Sequence, residues 1–457
     1  MLPSSSRWLR EGPAARVIPT RFISPIERFT LAHAYPRAPE PLRWVVGTSS
    51  PEASLLLGGD LALHRWEPLS PPASTFSGLA ELAGTADAFI LNLESQLTTR
   101  PTALGTIGTS LKASPGAAGI LSYLGVRAVT CANNHSLDYG PEGLEESAEV
   151  LERTGVAVTG IAGQGRDGGA VITVRRIRVG LLGFSDDWRV GENGVSWLRP
   201  VPHLPEQVKE RISALRASAD VVVVQLHWGY EWSMYPMRSQ RDLARSYVEA
   251  GADLVVCHHA HVPMGIETWR GGAIAHGLGN LHFGPSGLGR HPFRNSSFAL
   301  RAGITRSGVV TLEAVPVTTD GEGRTAPATG PAAEQIRNAL GYLSSRLDQD
   351  RYLDAVEAAL LARQGCGVLL DLSRRIAQGD AGGAAERVRF LDPPRQRVLA
   401  ATLRGAGGVL GGIGTLLEEV RDGKLRTGGP PFTSALERLR GPAERLLSAS
   451  PQKGRIP

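Results

Sequence analysis

The hydrophobic residues in the central part of the chain occur in short runs, separated by segments in which apolar residues have helical spacing. Each run has the length and composition of a buried β-strand, and most of them end in Asp, Glu, Asn or His. The runs are ASLLLGGD, DAFILNLE, VRAVTCANNH, ADVVVVQLHWG and ADLVVCHHAH. The intervening segments PEGLEESAEVLERTG and QRDLARSYVEAGA are typical of helices that end at Gly155 and Gly251. This alternation predicts an α/β fold.

Two further stretches have the pattern of antiparallel strand pairs. They are AVITVRRIRVGLLGFSD and NSSFALRAGITRSGVVTLEAVPVTT. We therefore expect a mixed architecture with more than one sheet.

The pattern changes towards both ends and predicts four regions. Residues 1–50 are rich in Pro, Arg and Ser without a sustained period, which indicates a partly ordered lead-in. Residues 51–320 carry the strands and helices. Residues 321–334 are polar and rich in Gly, Pro and Thr, which predicts a linker. Residues 335–457 have Ala, Leu, Arg and Glu at helical spacing, which predicts a helical C-terminal region.

Composition places the chain among globular proteins with one large and one smaller domain, since it has 457 residues with 42% hydrophobic and 20% charged. The net charge of +5 comes from 49 basic and 44 acidic residues without a long basic run. This small excess gives no indication of a nucleic-acid partner, but it suits an anionic substrate.

The cysteines and the lengths of the apolar segments indicate the cellular compartment in which the protein is expected. Cys131, Cys257 and Cys366 are widely spaced and form no CxxC pair, which fits a reducing environment. The N-terminus has no apolar core of a secretory signal, and no segment approaches the roughly 18 apolar residues of a membrane span. We expect a cytoplasmic protein without a membrane span.

Polar side chains collect at the ends of the predicted strands, where ligands bind in open α/β sheets. Seven of the eleven histidines lie between positions 227 and 291. Any one of these polar residues alone is typical of a turn, a helix cap or a buried core histidine. Imidazole and carboxylate groups at five strand ends together favour a site for Zn, Mn or Fe.

Six segments, in this order, resemble the CapA (poly-γ-glutamate capsule biosynthesis) branch of the calcineurin-like metallophosphoesterases. They are GGDLALHR, DAFILNLESQLTTR, TCANNHSLDYGPEGL, LHWGYEW, HHAHVP and HGLGNLHF, within a match that runs from about Leu55 to about Val317. The resemblance implies a four-layer sandwich of two mixed sheets flanked by helices. It also implies a site for one or two divalent ions (Mn, Zn or Fe) at one edge.

The resemblance also implies which residues bind the ions. The first ion would be held by Asp60 and His261, and Glu94 would bridge to the second. The second would be held by Asn134, His227 and His259. His258 would point away from the ions and have a supporting or structural role.

Two catalytic residues are implied by the same motifs. His135 would hydrogen-bond the substrate and protonate the leaving oxygen. Asp138 would assist it, or would only hold the loop by bonding the backbone or His135. Substrate contacts are predicted for Lys112, Asn133 and Glu231, although Lys112 is equally well explained as a solvated side chain.

The chain departs from the wider superfamily at position 62, where the usual Asp-x-His motif has Ala62 in place of the histidine. The first site then lacks a ligand unless His64 or Glu231 supplies it. A single tightly bound ion is the alternative to two.

The function predicted from these features is that of a metal-dependent hydrolase of the phosphoesterase type. The substrate would be a small anionic or phosphorylated molecule, attacked by a metal-activated water with a histidine as general acid. One alternative is an accessory protein of capsule assembly that binds a poly-γ-glutamate-like polymer with little catalysis. Another is a tailoring enzyme that acts on peptide or amide bonds.

Overall fold

The computed structural model describes most of the first 357 residues, namely 37–40, 42–64, 71–103, 110–186, 199–200, 203–284 and 291–357, with a few isolated later positions. The beginning of the predicted lead-in and most of the predicted helical C-terminal region lie outside this part of the chain. Two compact units are distinguished, Phe29–Asp354 and a second made of Met1–Arg28 with Ala355–Pro457. The first unit carries all the elements described below.

The strands of this unit are short, apart from β2, β11, β18 and β19. In chain order they are β1 (Leu42–Val45), β2 (Ala53–Leu61), β3 (Ala88–Leu93), β4 (Gln96–Leu97), β5 (Lys112–Ala113), β6 (Val126–Thr130), β7 (Ala157–Thr159), β8 (Ile161–Gly163), β9 (Arg166–Asp167), β10 (Gly169–Val174), β11 (Ile177–Ser185), β12 (Arg199–Pro200), β13 (Val221–His227), β14 (Leu254–His258), β15 (Ile266–Trp269), β16 (Gly272–Ala275), β17 (Asn280–His282), β18 (Ser296–Thr305), β19 (Gly308–Thr319) and β20 (Thr325–Pro327). The helices are α1 (Pro72–Ala83), α2 (Ala118–Tyr123), α3 (Gly140–Arg153), α4 (Pro205–Arg216), α5 (Arg238–Glu249) and α6 (Gly330–Ser344).

The strands form two large mixed sheets. The first has nine strands in the order β1-β19-β18-β2-β3-β6-β7, with β17 beside β2 and β20 beside β19. The second has six, in the order β10-β11-β13-β14-β16-β15. Neighbours among β2, β3, β6 and β7, and among β11, β13, β14 and β16, run parallel. The pairs β10–β11 and β18–β19 are antiparallel, which confirms both pairs predicted from the sequence.

The layers follow from the alternation of side chains along each strand. Leu57 of β2 and Val223 of β13 belong to one buried cluster between the sheets. On the outer face of the first sheet, Phe76 of α1 and Leu144 of α3 are buried with that sheet. Tyr247 of α5 is buried in a cluster with the outer face of the second sheet. Helices therefore cover both outer faces, and the predicted four-layer sandwich is confirmed. Strands covered on both faces read as continuous apolar runs.

The sandwich extends beyond the predicted limits of 51 and 320. Within the predicted lead-in, β1 pairs with β19. The segment 321–334, predicted as a linker, contains β20, which also pairs with β19, and the start of α6. Ile336 and Leu340 of α6 are buried in the cluster between the sheets. The linker prediction is corrected because β20 is held by main-chain pairing, which composition does not reveal.

The carboxyl ends of the parallel strands in both sheets meet at one edge. In the first sheet Asp60 lies opposite Asn92, and in the second His227 lies opposite His258. The polar residues that end the apolar runs are thereby brought together. Among the residues in the structure, no helix combines the length and apolar composition needed to cross a lipid bilayer.

The glycine pair before Asp60 allows another segment of the chain to pack closely against this edge of the sheet. A Cβ atom on Gly59 would lie 1.9 Å from the carbonyl oxygen of Gly279, which is closer than any side chain can come. That same oxygen accepts a hydrogen bond from the main-chain amide of Asp60 at 3.0 Å. The motifs GGD and LGN are therefore packed directly against each other.

Candidate metal centre

Asp60 is a buried carboxylate held from several sides. Its Oδ1 accepts a hydrogen bond from Asn92 Nδ2 at 2.8 Å and lies 3.1 Å from His258 Nδ1. Its Oδ2 accepts one from the main-chain amide of His259 at 3.1 Å. Burial alone would raise the pKa of Asp60, but the hydrogen bond and charge of His258, with the charges of His261 and His227, lower it below the ordinary value. The group is therefore an ionised carboxylate at neutral pH.

Glu94 follows β3 and is completely buried. Among the described residues, neither of its carboxylate oxygens has a hydrogen-bond partner. The Nε2 atoms of His227 and His261 each lie 3.7 Å from Glu94 Oε1. Burial raises the pKa of Glu94 well above its ordinary value, and the neighbouring Asp60 and Glu231 carboxylates raise it further. A buried carboxylate without partners is costly, so this arrangement fits a bound cation.

Close to Glu94, three atoms that could bind a metal ion lie near one another. His227 Nε2 lies 3.1 Å from His259 Nδ1 and 2.9 Å from Asn134 Oδ1. Burial lowers the pKa of both histidines, well below the ordinary value for His227 and to about 4 for His259. Both imidazoles are therefore neutral at pH 7, which is the form that binds a metal ion.

His261, the second imidazole near Glu94, has its ring oriented by an asparagine. Its Nδ1 lies 2.8 Å from Asn280 Oδ1 and 3.6 Å from Asp60 Oδ2. Asn280 is held in turn, because its Nδ2 donates to the carbonyl of Arg294 at 3.1 Å. Sequence reasoning gave Asn280 no role, although it lies in the quoted segment HGLGNLHF.

Within the described ranges, three overlapping sets of residues have the geometry to hold a metal ion. Within each set the potential ligand atoms lie within 4.8 Å of one another; the sets are Glu94–His227–His259, Asp60–Glu94–His261 and Glu231–His259–His261. Glu94 belongs to the first two sets. The structure thus brings together all six residues predicted as ligands, and Glu94 is shared by two of the sets. His64 belongs to none of these sets, and its ring lies 5.8 Å from that of Phe283.

His258 was expected to point away from the ions and to have a supporting or structural role. Its Nδ1 is 3.1 Å from Asp60 Oδ1, its side chain is buried, and it belongs to none of the three candidate ligand sets. His258 therefore contacts the carboxylate predicted to bind the first ion, and its supporting role stays a prediction. After β14 the backbone turns left-handed, with φ of +84° at His259 and +58° at His261.

The loop between β6 and α3 carries the remaining predicted polar residues. His135 Nδ1 lies 2.7 Å from Asp138 Oδ2. Asn133 was predicted to contact substrate, but it is buried and its Nδ2 donates to Asn92 Oδ1 and Leu93 O. Its Oδ1 accepts from the amide of His135. These contacts occupy the Asn133 amide inside the protein, so it positions the loop instead.

Lys112 and Glu231 are the other two residues predicted to contact substrate, and only Glu231 belongs to a candidate ligand set. Lys112 Nζ donates to the carbonyl of Arg100 at 2.5 Å and lies 4.8 Å from the ring centre of Tyr139. Its contact with substrate stays a prediction. Glu231, also predicted to contact substrate, is exposed and belongs to one of the three candidate ligand sets.

Comparison with known proteins identifies relatives over the same region. The PGA biosynthesis protein CapA of Bacillus subtilis (strain 168) is 33% identical over 171 residues, which cover 36% of this chain and 44% of that protein. A probable polyglutamine synthesis accessory protein of Mycobacterium tuberculosis is 28% identical over 309 residues, or 62% of this chain and 81% of that protein. The match thus spans less than half the length of the Bacillus relative.

Among solved structures, the NAD nucleotidase of Haemophilus influenzae has 14% identity and a TM-score of 0.39, over 65% of this chain and 63% of that one. The family model described as bacterial capsule synthesis protein PGA_cap matches residues 54–285. That range is more than half of the chain and contains every residue of the candidate metal centre. The chain therefore belongs to the PGA_cap family of bacterial capsule synthesis proteins.

Proposed function

We propose that this protein is a metal-dependent hydrolase of the phosphoesterase type, acting on a phosphate ester or anhydride. The observation that carries the proposal is the Glu94 carboxylate. It is fully buried, neither oxygen has a hydrogen-bond partner among the residues that the structure describes, and two imidazole nitrogens lie 3.7 Å from its Oε1. Such a group is stabilised when a cation lies between it and the neutral imidazoles.

The donor set suits one or two divalent ions, with Mn, Zn or Fe as the candidates. Asp60 and His261 would hold the first ion. Glu94 would bridge to the second, held by the ligands Asn134, His227 and His259. When bound, such ions polarise the substrate and lower the pKa of a bound water towards about 7.

His135 is proposed to donate the proton that the leaving oxygen requires. Its ring is fixed through Nδ1 by Asp138, which leaves Nε2 as the nitrogen for the substrate. About 15% of the His135 side chain is exposed, whereas Asp138 is fully buried. A partly exposed imidazole held by a buried carboxylate is the arrangement that general acids use. In this proposal Asp138 positions His135.

A second candidate function is an accessory role in assembly of an anionic polymer. The observation that favours it is family membership, because the family and its relatives bear names of capsule synthesis, PGA biosynthesis and polyglutamine synthesis. The metal centre would then bind carboxylate groups of the polymer. The same ligand set would also serve hydrolysis of an amide bond in such a polymer.

One experiment separates these candidates. The purified protein is analysed for bound metal and supplied with Mn²⁺, then assayed with an aryl phosphate and with poly-γ-glutamate. Bound metal with phosphate turnover supports the phosphoesterase. Metal with shortening of the polymer supports the amide hydrolase, and metal with polymer binding alone supports the accessory role. A folded protein that binds no divalent ion would contradict all three.

A further inference from the structure

The turn that follows β14 carries two of the predicted metal ligands, His259 and His261. Each of the three candidate ligand sets contains His259, His261 or both. Both residues have a left-handed backbone conformation, which non-glycine residues rarely adopt and which persists where the surrounding structure holds it. The geometry of the whole metal centre therefore depends on the groups that fix this turn.

A neighbouring loop contacts the turn through Trp232. The main-chain amide of Trp232 donates to the carbonyl of Ala260, the residue between the two histidines, at 2.8 Å. The centre of its ring lies 5.4 Å from that of His261, with an angle of 34° between the ring planes. Aromatic rings attract each other at this separation. Trp232 thus contacts both the backbone of the turn and one of its imidazoles.

Two groups restrict the His261 ring in different directions. Its Nδ1 lies 2.8 Å from Asn280 Oδ1, and this contact fixes the ring within its own plane. The indole of Trp232 lies against the ring and limits tilting out of that plane. The other nitrogen, Nε2, is the one that lies 3.7 Å from Glu94 Oε1. A ligand restricted in both directions loses little freedom when an ion binds, which favours tight binding.

Trp232 is itself fixed in an uncommon conformation. Its φ is +66°, which is rare for a bulky side chain and typical of functional sites when it occurs. Its Nε1 donates to Glu231 Oε2 at 3.1 Å. The imidazole of His291 lies 6.2 Å from the indole, with 25° between the ring planes. These contacts keep the indole in place beside His261.

We infer that Trp232 is a positioning residue for the metal centre. Its amide fixes the turn between His259 and His261, and its indole holds the His261 ring in the orientation that binds an ion. The motifs of the sequence assign Trp232 no role, although it ends the segment LHWGYEW. The inference rests on the proposed metal-dependent function. It requires that loss of the indole lowers the affinity for the ion and not only the stability of the fold.

A second tryptophan in the same protein provides a matched control. Trp269, like Trp232, is partly buried and donates its indole N–H to a glutamate, Glu249 Oε1, at 3.0 Å. Trp269 lies in β15, at the edge of the second sheet, and Glu249 belongs to none of the candidate ligand sets. Both truncations to alanine remove an indole of similar burial. A difference in metal affinity between them therefore reports on the metal centre.

The first test is calorimetric titration of the metal-free full chain with Mn²⁺, alongside thermal unfolding in chelator. We expect Trp232→Ala to bind Mn²⁺ about 10- to 100-fold more weakly than the wild type, the usual cost of removing a group that orients a metal ligand. Trp232→Phe keeps an aromatic ring beside His261, so its affinity should stay within a factor of about three. Trp269→Ala should bind like the wild type, and both alanine variants should unfold at a lower temperature.

The second test uses conservative variants and does not depend on the folding of Trp232→Ala. Co²⁺ binds to sites with nitrogen and oxygen donors and quenches the emission of nearby indoles. Because Trp232 lies beside a predicted ligand, its emission should fall strongly when the ion binds. The fractional decrease during a Co²⁺ titration should therefore be smaller in Trp232→Phe than in Trp269→Phe, while both variants bind the ion.

Four results would overturn the inference and leave the proposed function intact. The first is a folded Trp232→Ala variant with wild-type affinity for Mn²⁺. The second is an equal loss of affinity in Trp269→Ala, and the third is a Trp232→Phe variant that binds as weakly as Trp232→Ala. The fourth is equal quenching by Co²⁺ in the two phenylalanine variants. A wild-type chain that binds no divalent ion would contradict both the inference and the proposed function.

Discussion

His135 Nδ1 lies 2.7 Å from Asp138 Oδ2, and the same oxygen accepts a hydrogen bond from the main-chain amide of Leu111 at 2.6 Å. The carboxylate is thus fixed by the backbone and fixes the imidazole in turn. This arrangement distinguishes His135 from His259, whose Nδ1 lies 3.1 Å from another imidazole nitrogen, His227 Nε2. The two histidines should respond differently to substitution.

His135→Ala should leave metal content nearly unchanged and lower turnover by a factor on the order of 10² to 10⁴, the usual loss for a positioned proton donor. His259→Ala should lose metal and activity together, because it removes one of the ion's donors. Metal quantification and rate measurements on both variants check this. The His135→Ala loss should shrink with an activated phenolate leaving group, which needs no proton. If His135→Ala loses its metal as readily as His259→Ala, the acid role is wrong.

Glu94→Gln should change stability in opposite directions with and without metal. In the metal-free protein it removes a buried carboxylate that has no hydrogen-bond partner in the described part of the chain, so the variant should unfold at a higher temperature than the wild type. With Mn²⁺ at about 100 times the dissociation constant, the wild type should gain about 2.7 kcal/mol. The variant should gain much less. Thermal unfolding of both proteins with a chelator and with Mn²⁺ checks this.

A Glu94→Gln variant less stable than the wild type in chelator would show that the carboxylate has a structural role. Equal stabilisation of both proteins by Mn²⁺ would remove Glu94 from the ligands. The two readings are independent, because the first is taken without metal and the second is a difference within each protein.

The sequence predicted the sheets and the convergence of the site because both depend on local pattern. Apart from Gln225, the run VVVVQLH of β13 is apolar until His227, since both faces of that strand are covered. Parallel strands end at one edge, so residues that end such runs must meet there. Asp60, Glu94 and His227 could therefore be grouped without coordinates.

What the sequence could not provide depends on backbone conformation and long-range pairing. The course of the chain through His259 and His261 depends on left-handed φ values at both residues, which no propensity predicts. The role of Asn280 depends on β17 pairing with β2, across more than 200 residues of chain. The strand β20 has the composition of a loop and is held by pairing with β19.

Glu267→Gln should weaken the fold without affecting the metal centre. Burial would raise the pKa of Glu267, but the hydrogen bond and charge of His276, and those of Arg245, lower it below 4.5. A lowered pKa means that this contribution to stability is complete above about pH 4.5 and is lost as pH falls through the folded value. We expect the variant to lose about 3 kcal/mol at pH 7, typical for removing one partner of a buried pair, and to show a flatter acid transition.

Denaturant unfolding between pH 3 and 7 measures this effect, with Glu313→Gln as the control. Glu313 pairs with the exposed Arg43 on the surface, so its loss should cost less than about 1 kcal/mol. Mn²⁺ binding should be the same in both variants. Equal losses of stability in the two variants would mean that the buried network around Glu267 contributes no more than a surface pair.

Gly59→Ala should disrupt the edge of the sheet on which the metal centre is built. The added methyl group would lie 1.9 Å from the carbonyl oxygen of Gly279, so the segment around residue 59 or the segment around residue 279 must move. That carbonyl accepts the main-chain amide of Asp60, and the next residue, Asn280, orients His261. We expect a loss of about 3 kcal/mol or more in unfolding free energy, together with weaker Mn²⁺ binding.

The matched control for this substitution is Gly119→Ala. Gly119 is exposed in α2, and a Cβ atom there would meet no atom of the described residues within 4 Å. Alanine lowers the entropy of the unfolded chain and favours the helix, so this variant should be more stable by about 0.5 to 1 kcal/mol. The two variants add the same methyl group, and denaturant unfolding with Mn²⁺ titration compares them directly. A Gly59→Ala protein with wild-type stability and affinity would show that the GGD and LGN segments can separate without loss, and that their close packing does not hold Asp60 in place.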